Sequence, residues 1–218
     1  VRYGFLSAFE DDFILSAVTD QKKSELSGAP SDYGIMRFLY EDNEQGSYKA
    51  FGLMSTAVLN DEADAFTHGL DGHYLSEEGR LRVDGQFFSS NNGASDTGYG
   101  GFIDFEYTLR QGIKQRLGIE YQDENVDLND LGFLERNDNF RIRTAHTRLN
   151  PNPSWARNNY FDVRGYVQRN RDGFLTGAGL FLVNKMTFDN LSKFTFRAGF
   201  SPSVYDDLNS FGNGIYRI

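Results

Sequence analysis

The segment that begins at Asp123 resembles the start of a calcium-binding loop, because oxygen-bearing side chains occupy its first, third and fifth positions. An EF-hand loop also needs glycine at position six and glutamate at position twelve. This chain has Leu128 and Leu134 there. The pattern fails at both positions, so we predict no metal site in this segment.

The same loop continues with an apolar anchor, Phe133, which follows the conformationally free Gly132. Arg136 is spaced to form a two-pronged ion pair with Asp130 or Asp138. Such a loop would either fold back and constrict an interior channel or pin itself onto the surrounding wall. We therefore take Asp130, Phe133, Arg136 and Asp138 as candidate binding residues.

Charged side chains of both signs recur at alternate positions of several segments. The candidate ligands among them are Asp104, Glu106, Arg116 and Glu120. Two carboxylates about 5–10 Å apart could hydrolyse a glycosidic bond. A face with this many acids offers such pairs by chance, so the pattern does not single out a catalytic pair.

The remaining motifs do not favour an enzyme. His68 and His73 are five residues apart on a predicted strand, so their side chains point to opposite faces. The glycines at 98, 100 and 101 precede a strand rather than the helix of a nucleotide-binding motif. The chain has no cysteine, which excludes a thiolate metal site. We expect no catalytic residues and no cofactor.

Trp155 is the one tryptophan of the chain and lies in a predicted connection. Its amphipathic ring suits a membrane interface, and it could also serve as a platform on which a sugar stacks. The interfacial anchor is our first interpretation and the sugar platform is the second.

The composition excludes several classes of protein. The formal net charge is −9, whereas a nucleic-acid-binding surface needs clustered Lys and Arg. No apolar run approaches the roughly 20 residues of a membrane-spanning helix. Mean hydropathy does not exclude a membrane β-barrel, because half of each barrel strand faces water.

Period-two alternation of apolar and polar residues identifies the elements that position these side chains. Residues 81–87, 103–110 and 114–122 alternate without interruption, which predicts strands with one apolar and one polar face. About twelve strands follow from this pattern, near 1–9, 12–19, 33–41, 47–58, 64–75, 80–88, 99–110, 112–122, 138–149, 158–169, 174–187 and 191–202.

Strand length and connections favour an up-and-down transmembrane barrel. Many predicted strands have the 9–11 residues that a tilted membrane strand needs. Short connections at 9–11, 42–46, 76–79 and 111 alternate with connections at 20–32, 60–63, 89–98 and 123–137, most of them longer. Outer-membrane barrels have short connections on one side and long ones on the other.

The composition of the two faces separates this barrel from a soluble β-sandwich, which is the alternative. The polar face mixes Arg with acids, as a wet lumen does, and the other face is rich in Phe, Tyr, Leu, Val and Ile. Aromatics near strand ends would form interfacial girdles. They include Phe87, Phe88, Tyr107, Tyr121 and Tyr160.

We expect one β-barrel region, 1–218, without an internal domain boundary. Both ends of the chain have strand character, so we expect an incomplete portion of a longer barrel of which about twelve strands are present.

The loop sequence from Asp127 to Asp138, with Gly-Phe followed by Arg and Asp, resembles a motif of a family of bacterial outer-membrane β-barrel domains of unknown function. The interleaved aromatics and glycines at 48–53 and 70–74 are also similar to it. In that family the barrel follows an amino-terminal module similar to family 9 carbohydrate-binding domains, which this chain lacks. The resemblance implies an outer-membrane location and contact with lipid, and it suggests carbohydrate handling.

We expect an outer-membrane barrel that binds or transports oligosaccharides at the cell surface. The alternatives are a β-protein that hydrolyses glycans through an acid pair and a structural barrel that anchors the amino-terminal module. We expect no nucleic-acid partner.

Overall fold

The computed structural model describes residues 1–11, 13–19, 22–28, 30–61, 63–93, 96–128, 134, 136–207 and 215–217. For 13–19, 22–28, 45 and 215–217 it describes the backbone alone. Within these ranges the elements are strands and one short 3-10 turn, Glu44–Gly46. The strands are β1 (Arg2–Phe9), β2 (Phe13–Thr19), β3 (Lys22–Gly28), β4 (Ser31–Asp42), β5 (Tyr48–Asn60), β6 (Ala65–Leu75), β7 (Leu81–Asn91), β8 (Gly98–Arg110), β9 (Ile113–Gln122), β10 (Asn139–Asn150), β11 (Asn158–Arg169), β12 (Leu175–Thr187), β13 (Lys193–Phe200), β14 (Val204–Asp206) and β15 (Ile215–Arg217).

The main sheet contains eleven antiparallel strands in the order β1, β4 and then β5 to β13 in sequence. From β4 to β13 every strand pairs with the next one along the chain, which confirms an all-β, up-and-down architecture. The predicted bounds of several strands agree closely with the structure: the predicted strand 158–169 coincides with β11, and the predicted strand 112–122 differs from β9 by one residue. In the described strands β1 pairs only with β4 and β13 only with β12, so the sheet is open.

The amino-terminal part of the predicted meander is wrong. An unbroken meander would pair 12–19 with β1, but β4 takes that place, in a register that runs from Arg2 opposite Leu39 to Phe9 opposite Asp32. β2 instead pairs with β3, and the two form a separate hairpin. The sequence pattern did not predict the strand β3. The polar run Lys22-Lys23-Ser24-Glu25 lacks the alternation by which the other strands were recognised.

The connections fall at two ends of the main sheet. One end, the short-loop end, has the connections 43–47, 76–80, 111–112, 151–157 and 188–192. The other, the long-loop end, has 10–30, 61–64, 92–97, 123–138 and 170–174. The predicted alternation is confirmed for residues 42–137. It is wrong for 9–11, because that segment opens the long excursion from β1 to β4 rather than a short turn.

The two faces of the sheet differ as the alternation predicted. On one face, here called the apolar face, neighbouring strands align apolar side chains: Leu70 lies opposite Phe87, and Tyr121 opposite Phe140. The other, here called the polar face, aligns charges, as where Arg82 lies opposite Glu106. In the described part of the chain β14 contacts the main sheet at β12, and no other sheet or helix packs on either face.

Two of the predicted girdle aromatics are on the wrong face. Phe88 follows Phe87 directly and therefore points to the polar face, where it is buried and its ring lies against Gly100. Tyr160 lies on the polar face beside its strand partner Lys185. Successive residues of a strand cannot share a face, so Phe87 and Phe88 could not both belong to one girdle.

Candidate functional site

A cavity of about 630 Å³ opens on the polar face between β7 and β12. Three of the residues predicted from sequence, Asp104, Glu106 and Arg116, line this cavity. The register brings them together, because Glu106 lies opposite Arg116 across β8 and β9. The full set of charged residues that line it is Arg82, Asp84, Asp104, Glu106, Arg116, Arg141, Arg143 and Arg164.

Glu106 is held between two cations in the cavity wall. It accepts hydrogen bonds from Lys114 Nζ and Arg116 Nε, both at 2.6 Å. Glu120, also predicted as a ligand, lies on β9 and on the same face as Arg116, but four residues further along the strand. It faces Phe102 and Arg141, forms no ion pair with the described residues and does not line the cavity.

A glycine allows the second ion pair of the cavity to form. Arg143 on β10 reaches across β9 and donates through Nη2 to both oxygens of Asp104 on β8, at 2.9 and 2.7 Å. Gly118 lies between them, and a Cβ there would collide with both the carboxylate and the guanidinium. The bridge over the middle strand therefore requires glycine at this position.

The same arrangement occurs on β4 to β6. Arg37 on β4 makes a two-pronged ion pair with Asp71 on β6, with Nη2 to Oδ2 at 2.8 Å. Gly52 on the strand between them has no room for a Cβ, because the pair lies over it. The alternation of the sequence does not indicate this pair, because it does not tell which strands lie two apart in the sheet.

The ion pair continues into a chain of contacts toward β7. His73 Nε2 lies 3.2 Å from Asp71, and its Nδ1 lies 2.8 Å from Asp84. Asp84 also pairs with Arg82 at 2.6 Å. Within this series of contacts, from Arg37 to Arg82, each charged side chain lies beside one of opposite charge.

A second cavity of about 340 Å³ lies on the polar face of β11 to β13. Its one carboxylate, Asp162, is buried and accepts bonds from Thr147 Oγ1 at 2.7 Å and Arg164 Nε at 2.5 Å. Lys185 and Arg197 also line this cavity and have no carboxylate within 4 Å among the described residues. Neither cation was among the candidate ligands selected from the sequence.

Of the two ion pairs predicted for Arg136, the one with Asp138 is not formed, and the one with Asp130 involves a residue outside those described. Arg136 donates from Nη2 to Asp207 Oδ2 at 2.6 Å, not to Asp138. Asp138 instead accepts the backbone N–H of Arg171 at 2.8 Å. Asp207 is distant in sequence, so no local spacing could have indicated it. Asp130 and Phe133 lie outside the described residues.

Asp207 is the acceptor at the centre of this contact. It also accepts from Asn170 Nδ2 at 2.9 Å, which ties the carboxyl-terminal segment to the loop between β11 and β12. Burial alone would raise the pKa of Asp207, but the hydrogen bonds from Arg136 and Asn170 outweigh it, so the pKa lies below its ordinary value. The ionised form of Asp207 thus favours this arrangement.

The first part of the 123–138 loop packs onto the end of the sheet. Val126 is 1 % exposed. The Asp127 N–H donates to Ser90 Oγ at 3.0 Å, and the Asp123 carboxylate accepts the N–H of Tyr99 at 2.8 Å. At Gly98 a Cβ would collide with the backbone of the loop. These contacts agree with the interpretation of the loop as a pin on the wall.

Trp155 lies at the short-loop end, away from both cavities. It is in the connection between β10 and β11 and is 54 % exposed. It lines neither of the two cavities described above. The structure therefore does not bring Trp155 together with the other candidate residues.

Comparison with known proteins gives one family. The model of a family described as "Domain of unknown function (DUF5916)" matches residues 14–212. No curated protein and no solved structure matches the chain. Among the described residues no helix is long and apolar enough to cross a membrane.

Proposed function

The chain belongs to the DUF5916 family, and we propose that it forms part of the wall of a bacterial outer-membrane β-barrel that binds or transports carbohydrates. The observation that carries the proposal is the contrast between the two faces of one uncovered sheet. One face exposes large apolar side chains, and the opposite face bears ion pairs around a cavity. A sheet with lipid on one side and water on the other needs this pattern.

The exposed apolar face argues against a soluble sandwich. Phe87, Tyr121 and Leu180 are each more than half exposed, although they lie on strands that have a neighbour on both sides. A soluble sandwich would bury this face against a second sheet. An uncovered apolar face of this size marks contact with a membrane or another apolar surface.

Aromatic side chains of the apolar face form a band at each end of the strands. Such girdles occur where barrel strands meet the two membrane interfaces. The band at the long-loop end contains Phe9, Phe66, Phe87, Tyr99, Tyr121, Phe140 and Phe200, and the band at the short-loop end contains Tyr3, Tyr40, Phe51, Tyr107 and Phe194.

In this proposal the polar face lines a water-filled interior along which the carbohydrate passes or docks. Charged and hydroxyl groups there would replace the water that a sugar loses. Residues 123–128 and 136–138 would border the opening at the long-loop end, held by contacts with Ser90 and Asp207. The carbohydrate and outer-membrane parts of the proposal also draw support from the resemblance of the loop sequence.

The geometry gives less support to glycan hydrolysis. Glu106 and Glu120 are four residues of strand register apart, or about 13 Å, which exceeds the separation in glycosidases. Asp84 and Asp104 lie directly opposite each other on β7 and β8. Arg82 and Arg143 already occupy these two carboxylates, however, so neither is free to act on a glycosidic bond.

Detergent dependence tests the membrane proposal. The full-length protein should remain with the membrane fraction after salt and carbonate washes and require detergent for extraction. Phe87→Glu, on the apolar face, should reduce assembly into the membrane, whereas Thr108→Glu, on the polar face opposite Lys114, should not. Extraction into buffer without detergent would overturn the proposal.

Conductance separates passage from simple anchoring. The purified full-length protein in a planar bilayer should open discrete channels that maltotetraose blocks in a concentration-dependent way. An inserted protein that neither conducts nor binds maltotetraose would be an anchor for another module rather than a carbohydrate-handling barrel.

A further inference from the structure

The walls of the two cavities are positively charged, although the whole chain is negative. The chain has a formal charge of −9. Seven of the side chains that line the two cavities are cationic and only four are carboxylates. Cations still outnumber acids when Glu120, which faces Arg141, is added. The negative charge of the protein is therefore located elsewhere, and this part of the polar face attracts anions.

The cations of β10 to β13 are arranged in a diagonal row. Arg164 lies opposite Ala145, two residues beyond Arg143 on β10, and Arg197 lies opposite Val183, two residues beyond the partner of Arg164 on β12. Each cation is thus displaced by one step of alternation from the one before it. In order from the long-loop end the row is Arg141, Arg143, Arg164, Arg197 and Lys185.

This row, here called the cationic ladder, runs nearly the length of the strands. Arg141 lies opposite Gln168 on β11, and Gln168 lies opposite Gly177 on β12. Lys185 is eight residues further along β12 than Gly177. At about 3.4 Å per residue the ladder spans roughly 27 Å, with a cation at about every 7 Å along the strand direction. That spacing matches a chain of linked sugars better than a single small ion.

Three positions of the ladder lack a carboxylate partner among the described residues. Arg143 and Arg164 are neutralised by Asp104 and Asp162. Arg141 lies 4.8 Å from the ring centre of Tyr166, and its buried Nε donates no hydrogen bond. Lys185 and Arg197 form no ion pair in the described part of the chain, and Lys185 lies 5.7 Å from the ring of Tyr160.

We propose that the cationic ladder binds an oligosaccharide bearing carboxylate or sulfate groups, which Arg141, Arg197 and Lys185 contact directly. The inference rests on the proposed function, since it takes the polar face as the path of a carbohydrate, and it adds the charge of that carbohydrate. Arg forms two-pronged hydrogen bonds with carboxylate or sulfate oxygens. Rows of Arg and Lys are the means by which pores select anions. The rings of Tyr160 and Tyr166 hold the side chains of Lys185 and Arg141 on the polar face.

Binding of short oligosaccharides to the full-length protein in detergent tests this proposal. Tetragalacturonate, which bears a carboxylate on each sugar, should bind at least about tenfold more tightly than neutral maltotetraose. Sulfated maltotetraose distinguishes sulfate from carboxylate as the preferred anion. Equal affinity for tetragalacturonate and maltotetraose would overturn the proposal. So would displacement of tetragalacturonate by inorganic sulfate at equal molar concentration, because that result indicates a site for a single small anion.

Substitutions locate the site. Arg141→Gln with Lys185→Gln and Arg197→Gln should weaken tetragalacturonate binding by about 30-fold and leave maltotetraose binding within about twofold. Arg148→Gln is the matched control, because Arg148 lies on β10 but on the apolar face, opposite Phe161. The exposed Lys185→Gln alone should weaken binding by about threefold, which covers the case in which the triple variant fails to assemble. Unchanged affinity in the single and triple variants would overturn the proposal.

This result is independent of the membrane test. A protein that requires detergent but does not discriminate tetragalacturonate from maltotetraose contradicts the ladder and leaves the barrel standing. A protein that dissolves without detergent and still binds tetragalacturonate through Lys185 contradicts the barrel and leaves the anion site standing.

Discussion

The polar face of β4 to β7 and that of β10 to β13 use the same kinds of side chain in different ways. On β4 to β7 the charges form a closed chain from Arg37 through Asp71, His73 and Asp84 to Arg82. On β10 to β13 two arginines are paired and three cations are left without carboxylates in the described residues. The total number of charges is similar, but only the second region has charge to offer a ligand.

This difference indicates which polar residues stabilise the main sheet. A carboxylate that already accepts two cations cannot gain much from a solute, and removing it leaves the cations unpaired at a cost. A cation without a partner loses little in stability when it is replaced. Stability and binding should therefore respond oppositely to substitutions in the two regions.

The largest expected effect is on stability in the β4 to β7 region. Asp71→Asn leaves Arg37 and His73 without their shared carboxylate, and Asp71 has a side chain only 12 % exposed. We expect the free energy of unfolding to fall by about 2 kcal/mol, measured by thermal denaturation in detergent. Arg197→Gln should change it by less than about 0.5 kcal/mol. Equal losses in the two variants would contradict the distinction between the regions.

A smaller effect is expected where a glycine lets an ion pair cross a strand. Gly52→Ala places a Cβ against both Arg37 and Asp71, so the pair must move apart. We expect a loss of about 1–2 kcal/mol in the same denaturation assay. Gly72→Ala is the control, because a Cβ at Gly72, on the neighbouring strand and the apolar face, meets nothing within 4 Å. A penalty shared by both would point to backbone flexibility rather than to the ion pair.

The long-loop end next to Arg141 should respond to pH. The folded-state pKa of Asp207 is lowered, so its contribution is complete above the unfolded value of about 3.9 and is lost as pH falls through the lower folded value. Amide hydrogen exchange at 136–138 and 170–173 should therefore quicken at a pH below about 4 by more than the intrinsic rate change. Asp207→Asn should show the faster exchange at neutral pH and little further response. Protection that persists in acid would contradict this role.

The smallest expected effect is at an exposed pair of the same end. Arg171 and Glu124 form an ion pair with side chains 70 % and 49 % exposed. Arg171→Gln should change the free energy of unfolding by less than about 0.5 kcal/mol, because water screens the pair. It should also leave tetragalacturonate binding unchanged, since Arg171 lies outside both cavities. A large change in either measurement would mean that the charge of the loops, and not the ladder, controls binding.

Much of the fold followed from local pattern. The alternation at 103–110 and 114–122 predicted the strands and the face on which each side chain lies, because successive side chains of a strand point to opposite faces whatever the strand pairs with. The hairpin β2–β3 was missed, since its polar second strand lacks that alternation. Asp104, Glu106 and Arg116 share the polar face for the same local reason.

The partners of those side chains did not follow. Arg136 was expected to pair with Asp130 or Asp138, and among the described residues it pairs with Asp207 rather than Asp138. Arg143 crosses Gly118 to reach Asp104 two strands away. The sequence of β9 alone does not show why glycine is needed at this position. Contacts of this kind depend on register, which is a relation between segments distant in the chain.

The sequence by itself determined that this protein is an antiparallel β-protein with one apolar and one charged face, because the period of two belongs to each strand alone. Only the tertiary structure decided which charges neutralise one another and which remain, from Arg37 and Asp71 to the cationic ladder. Neutralisation requires atoms within about 4 Å, and that distance is set by how neighbouring strands align.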